Sequence, residues 1–231
     1  MARSVDELTR VDDPAWPYVV AMVEASSNDA HVLGCAAGDG EAGLWRLQMT
    51  ARSMLGGIVL NCGAMVVDHG WVKVLGAGVP GLPGVAGVNG YPDTPLDNPP
   101  MTAGMIVAVD VLGGQFAIDG GGLGASPGEV CYWDPSAIAW IGLGAGHSAF
   151  VEWLLTGDLA GFYQDLRWDG WQTDTDALQI GQGVSVYPFP WASQFRNGPV
   201  TRAPAPIREI IGANESMAAQ MGPQPPLPWR G

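Results

Sequence analysis

Glycine and proline fall so often along this chain that long regular elements are not expected. There are 34 Gly and 19 Pro among 231 residues. Such punctuation predicts many turns and long connections, with short helices and strands between them. The material between the breaks is apolar: 47% of residues are hydrophobic, and ten are Trp. A chain of this size buries a core without disulfides or structural metal. Low charge content with many aromatics argues against disorder over most of the length.

The order of short elements predicts an α+β fold. Ser4 stands three residues before Glu7, the spacing of a capping box. Asp13-Pro14 opens a helix that runs to about Ser26, with Trp16, Val19, Val20 and Val23 on one face. A strand over 31–35 and a helix over 41–49 follow. From Gly56 the texture turns to β, with strands predicted at 57–60, 64–67 and 71–75, then at 105–112, 115–119, 129–133 and 137–141. Helices are predicted at 148–155, capped by Ser148, at 159–168, capped by Asp158, and at 171–178. Residues 76–100 hold so much Gly and Pro that they read as a loop, either functional or mobile. The expectation is one domain over 3–212, built on an antiparallel, meander-like sheet flanked by helices on one side, with long Gly/Pro-rich loops. A Pro-rich, disordered tail is expected over 213–231.

The formal net charge is −13. Nucleic acid is excluded as a partner, because its recognition needs Lys and Arg on phosphates. An anionic membrane surface is disfavoured for the same reason. A basic protein partner is favoured, while a purely solubilising role for the charge stays open. Cys35, Cys62 and Cys131 are widely spaced and read as buried thiols of a reducing compartment. No metal-ligand spacing and no cofactor motif is present, so neither a metal nor a cofactor is expected. Met1 to Arg10 has no secretory pattern, and no apolar run has membrane-spanning length, so the cytoplasm is the expected location. The oligomeric state is not legible.

Candidate chemistry is sparse. Asp68-His69-Gly70-Trp71 pairs a base with a carboxylate, but neighbours in a turn point apart, and a β-turn explains the motif as well. Asp110 and Asp119 would lie side by side if 105–112 and 115–119 form a hairpin, and could then hold a cation or run acid–base chemistry. Trp168 and Trp171, near Arg167, form a late aromatic group that is either core or a binding hot spot. Gly120-Gly121-Gly122-Leu123-Gly124 and Gly142-Leu143-Gly144-Ala145-Gly146 lack the context of phosphate or dinucleotide loops.

Several motifs carry a family resemblance. Asp13-Pro14-Ala15-Trp16-Pro17, Val67-Asp68-His69-Gly70-Trp71, Asp110-Val111-Leu112-Gly113-Gly114, Gly157-Asp158-Leu159, Leu166-Arg167-Trp168 and Tyr187-Pro188-Phe189 occur in order. Over about 5–200 the chain resembles the bacterial domain of unknown function family 2625. Arg52-Ser53-Met54-Leu55 departs from that family's pattern, which often has Pro after the Ser. The stretches 113–117, 128–134 and 150–155 also resemble the Smi1/Knr4-type superfamily, which includes immunity proteins that bind toxins. That second resemblance implies an immunity-like, non-catalytic protein-binding module with an acidic surface. The alternative is an enzyme or small-molecule-binding protein with a pocket near Asp68, His69, Asp110 and Asp119. Convergence of those four side chains would favour the alternative.

Overall fold

A computed structural model of the chain describes residues 2–94 and 103–222. In chain order the elements are α1 (Val5–Thr9), α2 (Trp16–Glu24), β1 (Ala30–Leu33), α3 (Asp39–Leu47), α4 (Met54–Asn61), β2 (Ala64–Val67), β3 (Val72–Leu75), β4 (Gly78–Val79), β5 (Leu82–Pro83) and α5 (Val85–Val88). Then come β6 (Gly104–Asp110), β7 (Gln115–Asp119), β8 (Glu129–Asp134), β9 (Ala139–Gly146), α6 (His147–Thr156), α7 (Leu159–Phe162), α8 (Trp171–Asp176), β10 (Gln182–Tyr187), α9 (Ser193–Asn197), β11 (Thr201–Pro206) and α10 (Ile207–Met221).

The fold is α+β. Seven strands form one sheet in the order β1-β2-β3-β6-β7-β8-β9, and every neighbouring pair is antiparallel. Because side chains alternate along a strand, the register sorts them into two faces. Phe116 and Tyr132 stack at 4.7 Å on one face and meet Phe150 of α6 and Phe162 of α7. Trp133 points the other way and packs with Ile138 and with Ala218 of α10. The hairpin β10–β11 and α10 therefore cover the second face. β2 and β3 are buried at every position rather than alternately, and on this face residues 175–182 lie over Val66 and Lys73.

Some local expectations hold and others are overturned by tertiary structure. The Ser4–Glu7 capping box and the Asp158 cap on Gly161 N–H both form. The expected strand at 57–60 is instead inside α4. Ser53 caps it through Gly56 N–H at 3.0 Å, so Ile58 and Val59 are buried on a helix despite their β-branching. Asp13 does not cap α2; it has φ +55°, and Ala15 takes the cap position with no side-chain bond. Ser148 likewise does not cap α6, because β9 continues to Gly146 and the helix starts directly after it. The expected helix 159–168 is helical only to Phe162. Beyond Gly181 the chain forms a hairpin and a helix. Pro204 and Pro206 sit in a two-stranded ladder, and α10 runs to Met221, past the expected tail boundary at 213. Asn214 holds it down by donating to Leu112 C=O at 3.0 Å. Residues 223–231 of the expected tail lie outside the described residues.

The expected loop 76–100 is also corrected over 76–94. It folds into β4, β5 and α5, and Leu82, Val85, Ala86 and Val88 are buried. Asn89 ties the segment to β6: its amide donates to Ile106 C=O and accepts from Ile106 N–H, both at 2.8 Å. Residues 95–100 lie outside the described residues.

Candidate functional site

The hairpin β2–β3 turns through three successive residues with positive φ: Asp68 (+56°), His69 (+55°) and Gly70 (+76°). Trp71 N–H closes the turn on Asp68 C=O at 2.9 Å, which leaves His69 and Gly70 at its tip. Two left-handed residues are what a twist-matched hairpin turn requires, and Asp, His and Gly tolerate that region better than most residues. The turn sends its neighbouring side chains apart. Asp68 forms an ion pair with Arg167. His69 meets two other carboxylates: its backbone N–H donates to Asp29 Oδ2 at 3.3 Å, and its ring Nδ1 lies 3.3 Å from Asp176 Oδ2.

Behind the turn is a cluster of aromatic rings around Arg167. Trp71 is fully buried and meets Tyr163, Trp168 and Trp171 at centroid distances of 5.3, 5.6 and 5.2 Å. The Arg167 guanidinium lies 3.9 Å from the Trp171 ring centroid and 4.9 Å from that of Trp71. Low local polarity strengthens such cation–π contacts. Trp171 also meets the His69 ring edge-on at 5.8 Å, and Trp168 Nε1 donates to Asp174 at 2.7 Å. Five of the seven residues singled out from sequence thus come together here: Asp68, His69, Trp71, Trp168 and Trp171. Trp71 Nε1 and Arg167 Nε are buried with no partner among the described residues.

Beside the turn, on the sheet's second face, is a recess of about 220 Å³. Its floor is one cross-strand row, because His31 pairs with Val66 and Val66 with Lys73. His69, Asp29 and Asp176 stand at its rim, with Leu178 and Ile180 as apolar wall. Lys73 is 3% exposed and its ammonium donates to Gln182 C=O. Burial pulls its pKa down to about 8, against the attraction of Asp110. Sequence reasoning did not single out Asp29, His31, Lys73 or Asp176 for a site. Their only signal is strand register and the return of residue 176 to a turn more than a hundred residues earlier.

Asp110 and Asp119 do not join the recess. Asp119 pairs across the hairpin with Gly104, at the end opposite Asp110, so the two carboxylates are not side by side. Asp119 is spent on the loop after β7, accepting from the N–H groups of Gly121, Gly122, Leu123 and Ala125. Asp110 is buried on the first face. It accepts from Tyr132 Oη at 2.7 Å and from Leu112 and Gly114 N–H at 2.9 Å each. Burial pushes its pKa up to about 6, against those three donors. Among the described residues no three His, Cys, Asp or Glu side chains are placed to hold a metal ion.

His69 with Asp176 has the form of a base and its orienting carboxylate. Of the candidate nucleophiles in the lining, the Lys73 ammonium is engaged with Gln182 C=O. Thr175 supplies the lining's only hydroxyl, and that group donates to the Trp171 and Gln172 carbonyls. What the rim offers is two carboxylates, each with one oxygen on His69 and one oxygen to spare.

Comparison with known proteins agrees with the fold in giving no activity. The chain is 32% identical over 199 residues to the uncharacterized protein YbfG of Escherichia coli strain K12, covering 82% of this chain and 86% of that one. It is 30% identical over 190 residues to an uncharacterized protein of Haemophilus influenzae, covering 80% and 81%. No solved structure matches it significantly. No described helix is long and apolar enough to cross a membrane. The family model described as protein of unknown function DUF2625 matches residues 5–210, and the chain belongs to that family.

Proposed function

We propose that the chain is a non-catalytic protein-binding module whose binding face is centred on the β2–β3 turn, and that a Lys or Arg side chain of a basic partner enters the recess there. The observation that carries this reading is His69 held between Asp29 and Asp176, two exposed carboxylates from different segments. Exposed Asp165, Asp169 and Asp174 continue the acidic surface around the half-buried rings of Trp168 and Trp171. Half-buried aromatics inside a charged rim are the composition of an interface hot spot. Lys73 at the floor sets the depth, because its ammonium repels a second cation and keeps the partner's charged head at the rim, beside Asp29 and Asp176. The immunity-like form of this reading rests only on the resemblance over 113–155.

A second reading has its own observation. His69 and Asp176 would suit a general base acting on a small molecule in the recess.

Titration of isotope-labelled protein with L-argininamide separates the readings. The expected result is saturable shifts of the Asp29, His69, Gly70 and Asp176 amides, weakened about tenfold in the double variant Asp29→Asn/Asp176→Asn. Absence of shifts at these positions would overturn the proposal. Binding unchanged in the double variant would also remove the carboxylates from it.

A further inference from the structure

A second cavity, about 450 Å³, lies away from the β2–β3 turn, between the β4–β5 hairpin and the start of α10. Its size falls in the range of ordinary small-ligand sites, about 300–1,000 Å³. Val79, Leu82, Pro83, Pro206 and Ile207 make it apolar, and Arg208 stands at its mouth. Gly81 and Gly181 add a wall of bare backbone. A Cβ on Gly181 would run into the Gly81 carbonyl, so the close approach that shapes this wall depends on glycine.

Arg208 differs from every other described cation of the chain. Arg10, Arg46, Arg167 and Arg196 face carboxylates. Arg3, Arg52 and Lys73 donate to backbone carbonyls. Arg202 lies 4.6 Å over the Trp168 ring. Arg208 alone has no carboxylate, carbonyl or ring partner among the described residues. In a chain of formal net charge −13 carboxylates are abundant, so an unpaired guanidinium at the mouth of an apolar cavity is a specific feature of this site.

We infer that this cavity binds a small amphipathic acid, with the apolar body between Val79, Leu82 and Ile207 and the carboxylate on Arg208. A guanidinium recognises a carboxylate through two parallel N–H donors, and the apolar walls reject a fully polar anion. The wrong charge is rejected by Arg208 itself. This site is independent of the β2–β3 recess, and neither claim depends on the other.

The test uses sodium octanoate, with acetate and octylamine as controls for the apolar body and for the charge. Calorimetry and amide shifts should report saturable octanoate binding mapped to Val79, Leu82 and Ile207, with acetate and octylamine at least tenfold weaker. Arg208→Gln should weaken octanoate about tenfold. The residue is exposed, so its thermal melt without ligand should match wild type, and Arg208→Glu should weaken octanoate further. No saturable octanoate binding at millimolar concentration would overturn the inference. Equal binding of octylamine, or unchanged affinity in Arg208→Gln, would overturn it as well.

Discussion

Asp110 shows how one buried charge is held and what it costs. Its carboxylate is 1% exposed and accepts from the Tyr132 hydroxyl, more distantly from the Tyr163 hydroxyl at 3.5 Å, and from two backbone N–H groups. Removing it by Asp110→Ala orphans these donors, and unfolding free energy should fall by about 3 kcal/mol, the scale for breaking a buried hydrogen-bonded charge. Asp110→Asn keeps an acceptor and should cost less. The two proteins should also differ in their response to pH. The folded pKa of about 6 lies above the ordinary value, so the native state holds this proton more tightly than the unfolded chain does. The associated stability is complete below about pH 4 and is lost as pH rises through 6. Stability of Asp110→Asn relative to wild type should therefore improve from pH 4 to pH 7, by about 1.4 kcal/mol per pH unit at most. Urea melts over that range measure it, and a difference independent of pH would remove the buried charge from the argument.

Among the elements, the segment 76–94 departs furthest from its sequence pattern. Its glycines and prolines suggested an open loop, yet they allow close approach: Gly78 and Gly81 take φ of +105° and +93° in a tight hairpin that a bulkier chain would not enter. Its anchor is Asn89, a residue with no periodic signal, and its partner Ile106 lies beyond the residues that follow in sequence. Local patterns were legible where local physics decides. The capping box at Ser4, the cap at Asp158 and the strands at 64–67, 115–119 and 129–133 are examples. Patterns failed where burial on both sides erased periodicity, as in α4, where every residue from Met54 to Val59 is buried. Asn89→Ala should cost about 2 kcal/mol by leaving Ile106 N–H and C=O unpaired in the core. Amide exchange at Val88 and Asn89 should be slow in wild type and accelerate in the variant. Fast exchange at both positions in wild type would return this segment to a mobile loop.

At the scale of the whole molecule, charge is unevenly placed. Between Lys73 and Arg167 the chain carries no Lys or Arg, and Asp68 consumes Arg167. The acidic character was legible from composition, and so was the aromatic group at Trp168 and Trp171. Their meeting with Asp68, His69 and Trp71 was not, because it depends on residues 163–176 folding back onto a turn about a hundred positions earlier. Nor was the separation of Asp110 from Asp119 legible, which needed the hairpin register. A field of this kind steers a basic partner and is screened by salt, the Debye length falling from about 10 Å at 0.1 M to about 3 Å at 1 M. The most direct test is the association rate of a basic partner, captured from the native cell and identified, measured over a salt series with wild type and with Asp29→Asn/Asp176→Asn. The rate should fall steeply with salt, dissociation should change much less, and the double variant should associate more slowly at low salt. An association rate insensitive to salt and to the two substitutions, or recovery of a small metabolite with no protein partner, would contradict a protein-binding face at the β2–β3 turn.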